Sequence, residues 1–155
     1  MRSEILTLAK AHGVMIATAE SCTAGMVAAA LTDLAGASAV FERGFVTYTN
    51  AAKVDMLGIK QSTLAACGAV SEEIAQQMAA GALARSKAQL AVSLTGIAGP
   101  GGSDHKPEGR VCFGLANADG CHTETVEFGA LGRDAVRCAA RDHALKMLLA
   151  ALATL

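Results

Sequence analysis

Apolar positions along the chain switch between two periods. Val14 to Ala19 is a short run of apolar and small residues that reads as a buried strand, and Ala88 to Thr95 is a second. Arg110 to Asn117 and Cys121 to Phe128 alternate apolar with polar residues. Ala118-Asp119-Gly120 joins them, which is a hairpin signal. Helical spacing dominates elsewhere. Ser3 to His12 is predicted as an amphipathic helix stopped by Gly13, and Cys22 to Leu34 as a helix ended by Ala35-Gly36. Ala51 to Leu57 is a short helix presenting Lys53. Ser71-Glu72-Glu73 is a strong start for a helix running to Arg85, because a hydroxyl cap precedes two acids near the positive end of the dipole. Arg133 to about Leu152 is a long closing helix. Ala39 to Thr49 holds two β-like pieces around Glu42-Arg43-Gly44, where a bend or bulge is expected. Helices alternate with strands and a hairpin interrupts them, which predicts an α/β layered domain with a mixed sheet. No internal repeat or linker-like break divides the 155 residues, so one domain is expected.

Composition narrows this. The chain is 52% hydrophobic and 17% charged, enough apolar material for a sizeable core. With 3% aromatics and no Trp, that core must be aliphatic. A net charge of −1 without a basic run argues against a nucleic-acid partner. Met1 to Ala11 lacks the apolar stretch of a signal peptide, and the apolar run near Met147 to Leu155 is too short to span a bilayer, so no membrane is expected. Cys22, Cys67, Cys112, Cys121 and Cys138 make an odd set of five with no C-x-x-C pair. That fits free thiols in a reducing cytoplasm better than a disulfide framework or a zinc site.

The candidate chemistry lies where predicted strands end. Ser21 stands at an apparent strand-to-helix turn. It reads either as a helix cap, as most serines there do, or as a nucleophile beside the N–H groups of Cys22 and Thr23. Cys22 reads as a small buried residue or as a thiol activated by a helix start, although His12, His105, His122 and His143 form no pattern that supplies a base. Lys53 is a surface lysine or, if burial makes it neutral, a base for Ser21. Tyr48, the one tyrosine, is a strand residue or a group that relays a proton, orients Lys53 or binds substrate. Gly96 to Gly109 holds five glycines and both prolines. It is a plain connection or a cradle in which Gly96, Gly99 and Gly101 aim N–H groups at an anion, with Thr95 facing the same cleft and Lys106 adding charge. Arg133 and Arg137 share a helix face and suit phosphate, or pair with nearby acids in solvent. Glu20 could balance charge at the site. No metal-ligand cluster is present, and the chemistry needs neither metal nor cofactor.

Taken together, Ala19-Glu20-Ser21-Cys22-Thr23, Phe41 to Tyr48, Asn50 with Lys53, Gly68-Ala69-Val70-Ser71, Gly96-Ile97-Ala98-Gly99-Pro100, Lys106-Pro107-x-Gly109 and Arg133-Asp134-x-x-Arg137 resemble the CinA C-terminal domain family. Within it the likeness is to stand-alone nicotinamide mononucleotide amidohydrolases. The segments run in order over nearly the whole chain. The resemblance implies a three-layer α/β/α sandwich with a mixed, mostly parallel sheet, acting in pyridine nucleotide salvage. The expected reaction converts the carboxamide of nicotinamide mononucleotide to nicotinate mononucleotide and ammonia. It implies Ser21 and Lys53 as catalytic residues assisted by Tyr48, a substrate pocket including Thr95 and one or both of Arg133 and Arg137, and a homo-oligomer. Ala24 departs from a glycine common in the family, and Glu108 and Arg110 flank Gly109 where smaller or apolar residues are usual. Two rival readings remain at this point, a nucleotide-binding regulatory module without turnover and a hydrolase using Cys22.

Overall fold

A computed structural model describes residues 1–103 and 105–155; Asp104, inside the expected glycine-rich loop, lies outside that description. The elements are α1 (Arg2–His12), β1 (Ile16–Glu20), α2 (Met26–Thr32), β2 (Phe41–Val46), α3 (Asn50–Leu57), α4 (Gln61–Cys67), α5 (Glu72–Ala84), β3 (Leu90–Gly96), β4 (Arg110–Asn117), β5 (Gly120–Glu127) and α6 (Arg133–Ala153). The strands form one sheet in the order β2-β1-β3-β4-β5. β1 runs parallel to β2 and β3, whereas β4 is antiparallel to both of its neighbours. Four strands therefore point one way and only β4 opposes them, giving the expected mixed, mostly parallel sheet.

Alternation along β1 and β3 assigns a face to each layer. Ile16, Leu90, Val92 and Leu94 pack with Ile5, Val27, Leu31, Val136 and Leu148, which belong to α1, α2 and α6. Ala17, Ala19 and Ala91 face the opposite way, against Leu57, Ile74, Met78 and Ala82 of α3 and α5. The second face is built of small residues, so α5 sits close to the sheet. Ser93 Oγ donates to Ala75 O at 2.6 Å, and a Cβ on Gly114 would come within 2.5 Å of that same oxygen. Helices thus cover both faces, and the carboxyl ends of β1, β2 and β3 lie side by side, where α/β sheets place their ligand sites.

Two local expectations are corrected, and one helix was not anticipated. The helix expected from Cys22 begins only at Met26, because Ala24 (φ 48°) and Gly25 (φ 99°) turn the chain through the left-handed region first. Its first turn is capped from the preceding strand: the buried Glu20 carboxylate accepts from Val27 N at 2.9 Å and Ala28 N at 3.0 Å. Ser21 is therefore not a helix cap. The two β-like pieces at 39–49 are one strand, and it carries the expected bulge: a register shift opposite Ile16/Ala17 makes Glu42 the bulged residue. Finally, α4 carries no buried residue and so left no apolar stripe to read. Ser71 does cap α5, accepting from Ile74 N at 3.3 Å.

All five cysteines are free. Among the described residues, no helix is long and apolar enough to cross a membrane.

Candidate active site

Ser21 follows the last residue of β1, and its N–H donates to Leu94 O of β3 at 3.1 Å, so the sheet itself fixes the serine. Lys53 arrives from α3. Thr49 caps that helix by accepting from Ala52 N at 3.1 Å, and helical side chains lean back toward the N-terminus. Lys53 is thereby laid under the β1 end, 1% exposed. Its Nζ lies 2.9 Å from Ser21 Oγ, 3.0 Å from Thr47 O and 3.2 Å from Tyr48 O. No carboxylate pairs with it among the described residues, and burial pushes its pKa below the usual lysine value. A neutral amine has two N–H donors and one lone pair. The two carbonyls can only accept, so they take both donors and leave the lone pair facing the Ser21 hydroxyl.

Pair and turn border a cavity of about 440 Å³ at the carboxyl ends of the parallel strands. Ser21, Cys22, Tyr48, Lys53, Thr95, Gly96, Gly99, Gly101 and Arg133 line it together, as do Asn50, Ser103, Lys106 and the Ala69-Val70 segment. Thr23 and Arg137 do not. Thr23 Oγ1 is buried, donating to Glu20 at 2.6 Å, while Arg137 reaches Cys22 O at 3.0 Å and Thr23 O at 3.4 Å. Arg137 therefore grips the turn from the α6 side. The N–H groups of Cys22 and Thr23 donate to no other residue among those described. Burial raises the Cys22 thiol to about 11, so it is protonated at neutral pH and a poor nucleophile.

Tyr48 faces two ways. Its carbonyl holds Lys53, while its exposed hydroxyl accepts from Arg133 Nη2 at 2.6 Å. Arg133 also donates to Gly99 O at 2.8 Å, tying the glycine loop to the β2–α3 connection across the cavity mouth. Gly99 (φ 91°) and Gly101 (φ 79°) adopt left-handed conformations there. Across the cavity, Thr95 Oγ1 donates to Ala69 O at 2.9 Å, and the Lys106 ammonium donates to Cys67 O and Val70 O. The 67–70 segment thus forms a fixed wall. Sequence reasoning gave this segment no role of its own, although Gly68-Ala69-Val70-Ser71 stood among the resembling motifs. It also left Asn50 without a role, although Asn50 precedes Lys53 by three residues on one helix.

The model of the CinA C-terminal domain matches residues 1–152. The nicotinamide-nucleotide amidohydrolase PncC of Escherichia coli K12 is 53% identical over 140 residues, covering 90% of this chain and 85% of that protein. A CinA-like protein of Chlorobium phaeobacteroides is 54% identical over 125 residues, 78% of this chain but 30% of that longer protein. The crystal structure of the competence/damage inducible protein CihA from Agrobacterium tumefaciens superposes with a TM-score of 0.93 at 50% identity, covering 96% of this chain and 92% of the other. With the family model spanning nearly every residue and relatives of this identity, the chain belongs to the CinA C-terminal domain family.

Proposed function

We propose that this protein is an amidohydrolase that converts the carboxamide of nicotinamide mononucleotide to nicotinate mononucleotide and ammonia. Relatives named nicotinamide-nucleotide amidohydrolase at about half identity support the reaction class and substrate. One observation carries the mechanism: a buried lysine with no carboxylate partner among the described residues lies 2.9 Å from a serine hydroxyl at a cavity wall.

Lys53, neutral, takes the Ser21 proton as Oγ attacks the amide carbon. The N–H groups of Cys22 and Thr23 receive the negative charge developing on the amide oxygen. The Lys53 ammonium returns its proton to the nitrogen, the C–N bond breaks and ammonia leaves. Water, deprotonated by the same amine, then hydrolyses the acyl-enzyme and restores Ser21. Tyr48 assists through its carbonyl, which orients Lys53. The glycine loop with Arg133 takes the phosphate end and so orients the amide; Arg137, occupied beneath the turn, supports the oxyanion peptide instead. A place in pyridine nucleotide salvage, one domain over 1–155 and a cytoplasmic homo-oligomer belong to the same reading.

The test is ammonia release from nicotinamide mononucleotide. Purified protein should release it, and both Ser21→Ala and Lys53→Ala should abolish release. Full activity in either variant would sink the dyad.

A further inference from the structure

We infer that Asn50 reads the reacting carboxamide; this rests on the amidohydrolase reading above. The amide NH2 needs an acceptor: Lys106 and Arg133 carry donors only, Lys53 turns its lone pair to Ser21, and the Thr95 hydroxyl is held at Ala69 O. Asn50 carries the one side-chain carboxamide on this wall, is exposed to the cavity, and makes no side-chain hydrogen bond among the described residues. Ser103 also has no side-chain partner among the described residues, but it belongs to the glycine loop, bridged to Lys106, rather than to the helix that carries Lys53. Asn50 opens α3, and Lys53 follows three residues later, so the two lie on one helix face at the end where the chemistry occurs.

The substrate presents one acceptor and two donors at its reacting group. The carbonyl oxygen is taken by the N–H groups after Ser21, which leaves the NH2 in need of an acceptor. Asn50 Oδ1 supplies it, and keeps supplying it while the nitrogen is protonated and departs. The product carboxylate has no N–H, so this contact is lost once hydrolysis is complete. Asn50 thereby favours amide over acid and helps release the product.

The experiment compares wild type, Asn50→Ala and Asn50→Asp. It measures kcat/KM for ammonia release from nicotinamide mononucleotide and the inhibition constant of nicotinate mononucleotide, each on the plateau of its own pH profile. Loss of one neutral hydrogen bond should lower kcat/KM of Asn50→Ala by about 3- to 10-fold. Asn50→Asp keeps the acceptor and adds a negative charge that repels the product carboxylate. It should hold kcat/KM within about 10-fold of wild type and weaken product inhibition by at least that factor. Its added charge beside Lys53 should also shift the acid limb of the profile upward. Both changes sit on an exposed first helical position, where Asp is favourable to the dipole, so folding is preserved and thermal melts check it. An alanine variant within two-fold of wild type, or an aspartate variant inhibited by product as strongly as wild type, overturns the inference. An active wild type with indifferent Asn50 variants removes only this inference, whereas a wild type that releases no ammonia removes the functional reading with it.

Discussion

Replacing Lys53 by arginine separates two roles that an alanine variant confuses. A lysine beside a nucleophile can act as a base or as a fixed cation. Arginine retains the positive charge and donors for Thr47 O and Tyr48 O, but its guanidinium stays protonated and cannot accept the Ser21 proton. A positioned base contributes about 10²- to 10⁴-fold, or roughly 2.7–5.5 kcal/mol of barrier. Lys53→Arg should therefore lose at least 10²-fold in kcat/KM, and Lys53→Met, which packs a similar stem with no charge, should lose as much. Ammonia release measures both, with circular dichroism to show the fold intact. The wild-type profile of kcat/KM should rise with pH through the Lys53 pKa, which burial holds below the ordinary lysine value. Stability has a sign that can be checked too. The folded pKa is depressed, so between it and the unfolded value the unfolded chain binds more protons, and stability rises with pH across that window. Each unit of depression is worth about 1.4 kcal/mol. Wild type should accordingly gain on Lys53→Met in denaturant unfolding as pH rises toward 10. An arginine variant within about 10-fold of wild type would refute the base assignment, since no arginine supplies that share of the rate.

Cys22→Ala should keep most of the activity, and alkylation of Cys22 should stay slow until the pH approaches its raised value of about 11; rapid labelling at pH 7 with loss of turnover would restore the thiol as nucleophile. Arg137→Met, which frees Cys22 O and Thr23 O, should lower kcat by about 10-fold with little change in KM, whereas Arg133→Met should act mainly on KM; the reverse pattern in steady-state kinetics would return the phosphate to Arg137. Gly81→Ala should destabilise by about 1–3 kcal/mol in urea unfolding although alanine is the better helix former, because its Cβ would lie 2.3 Å from Leu57 O; a gain in stability would mean that α3 and α5 can separate freely.

Elements with a uniform environment were legible in the sequence. Ile16–Glu20 and Leu90–Gly96 are buried along nearly their whole length, β5 alternates between exposed and half-buried positions, and α6 keeps one apolar face for five turns, whereas β4, read as alternating, is buried over most of its length. The start of α2 was not legible, because its cap is a glutamate seven residues upstream of the N–H that it receives. The site divides in the same way. Ser21, Lys53 and the glycine loop are residue types with recognisable chemistry. What positions them is largely main chain: Thr47 O, Tyr48 O and Leu94 O hold the dyad, and Gly99 O anchors Arg133. A carbonyl leaves no mark in a sequence. Arg133 and Arg137 show the same limit, since a spacing of four puts them on one face, yet one reaches the cavity and the other lies beneath the turn.

The glutamate cap is also what makes a serine useful here. Had Ser21 capped α2, its oxygen would have been committed to a helix N–H. Glu20 takes Val27 N, Ala28 N and the Thr23 hydroxyl instead, so the Ser21 hydroxyl is left to Lys53. Glu20 is itself buried, and these donors at the helix start stabilise its charge in place of a cation. That matters for the base. A carboxylate paired with Lys53 would favour the ammonium form and remove the lone pair that Ser21 needs. Among the described residues Lys53 bonds only to carbonyls and a hydroxyl, and burial pushes it toward the neutral amine. The order Glu20-Ser21 along one strand end thus puts the site's negative charge on the helix and its free hydroxyl on the lysine. Exchanging those roles would leave a well-capped helix and an inert serine.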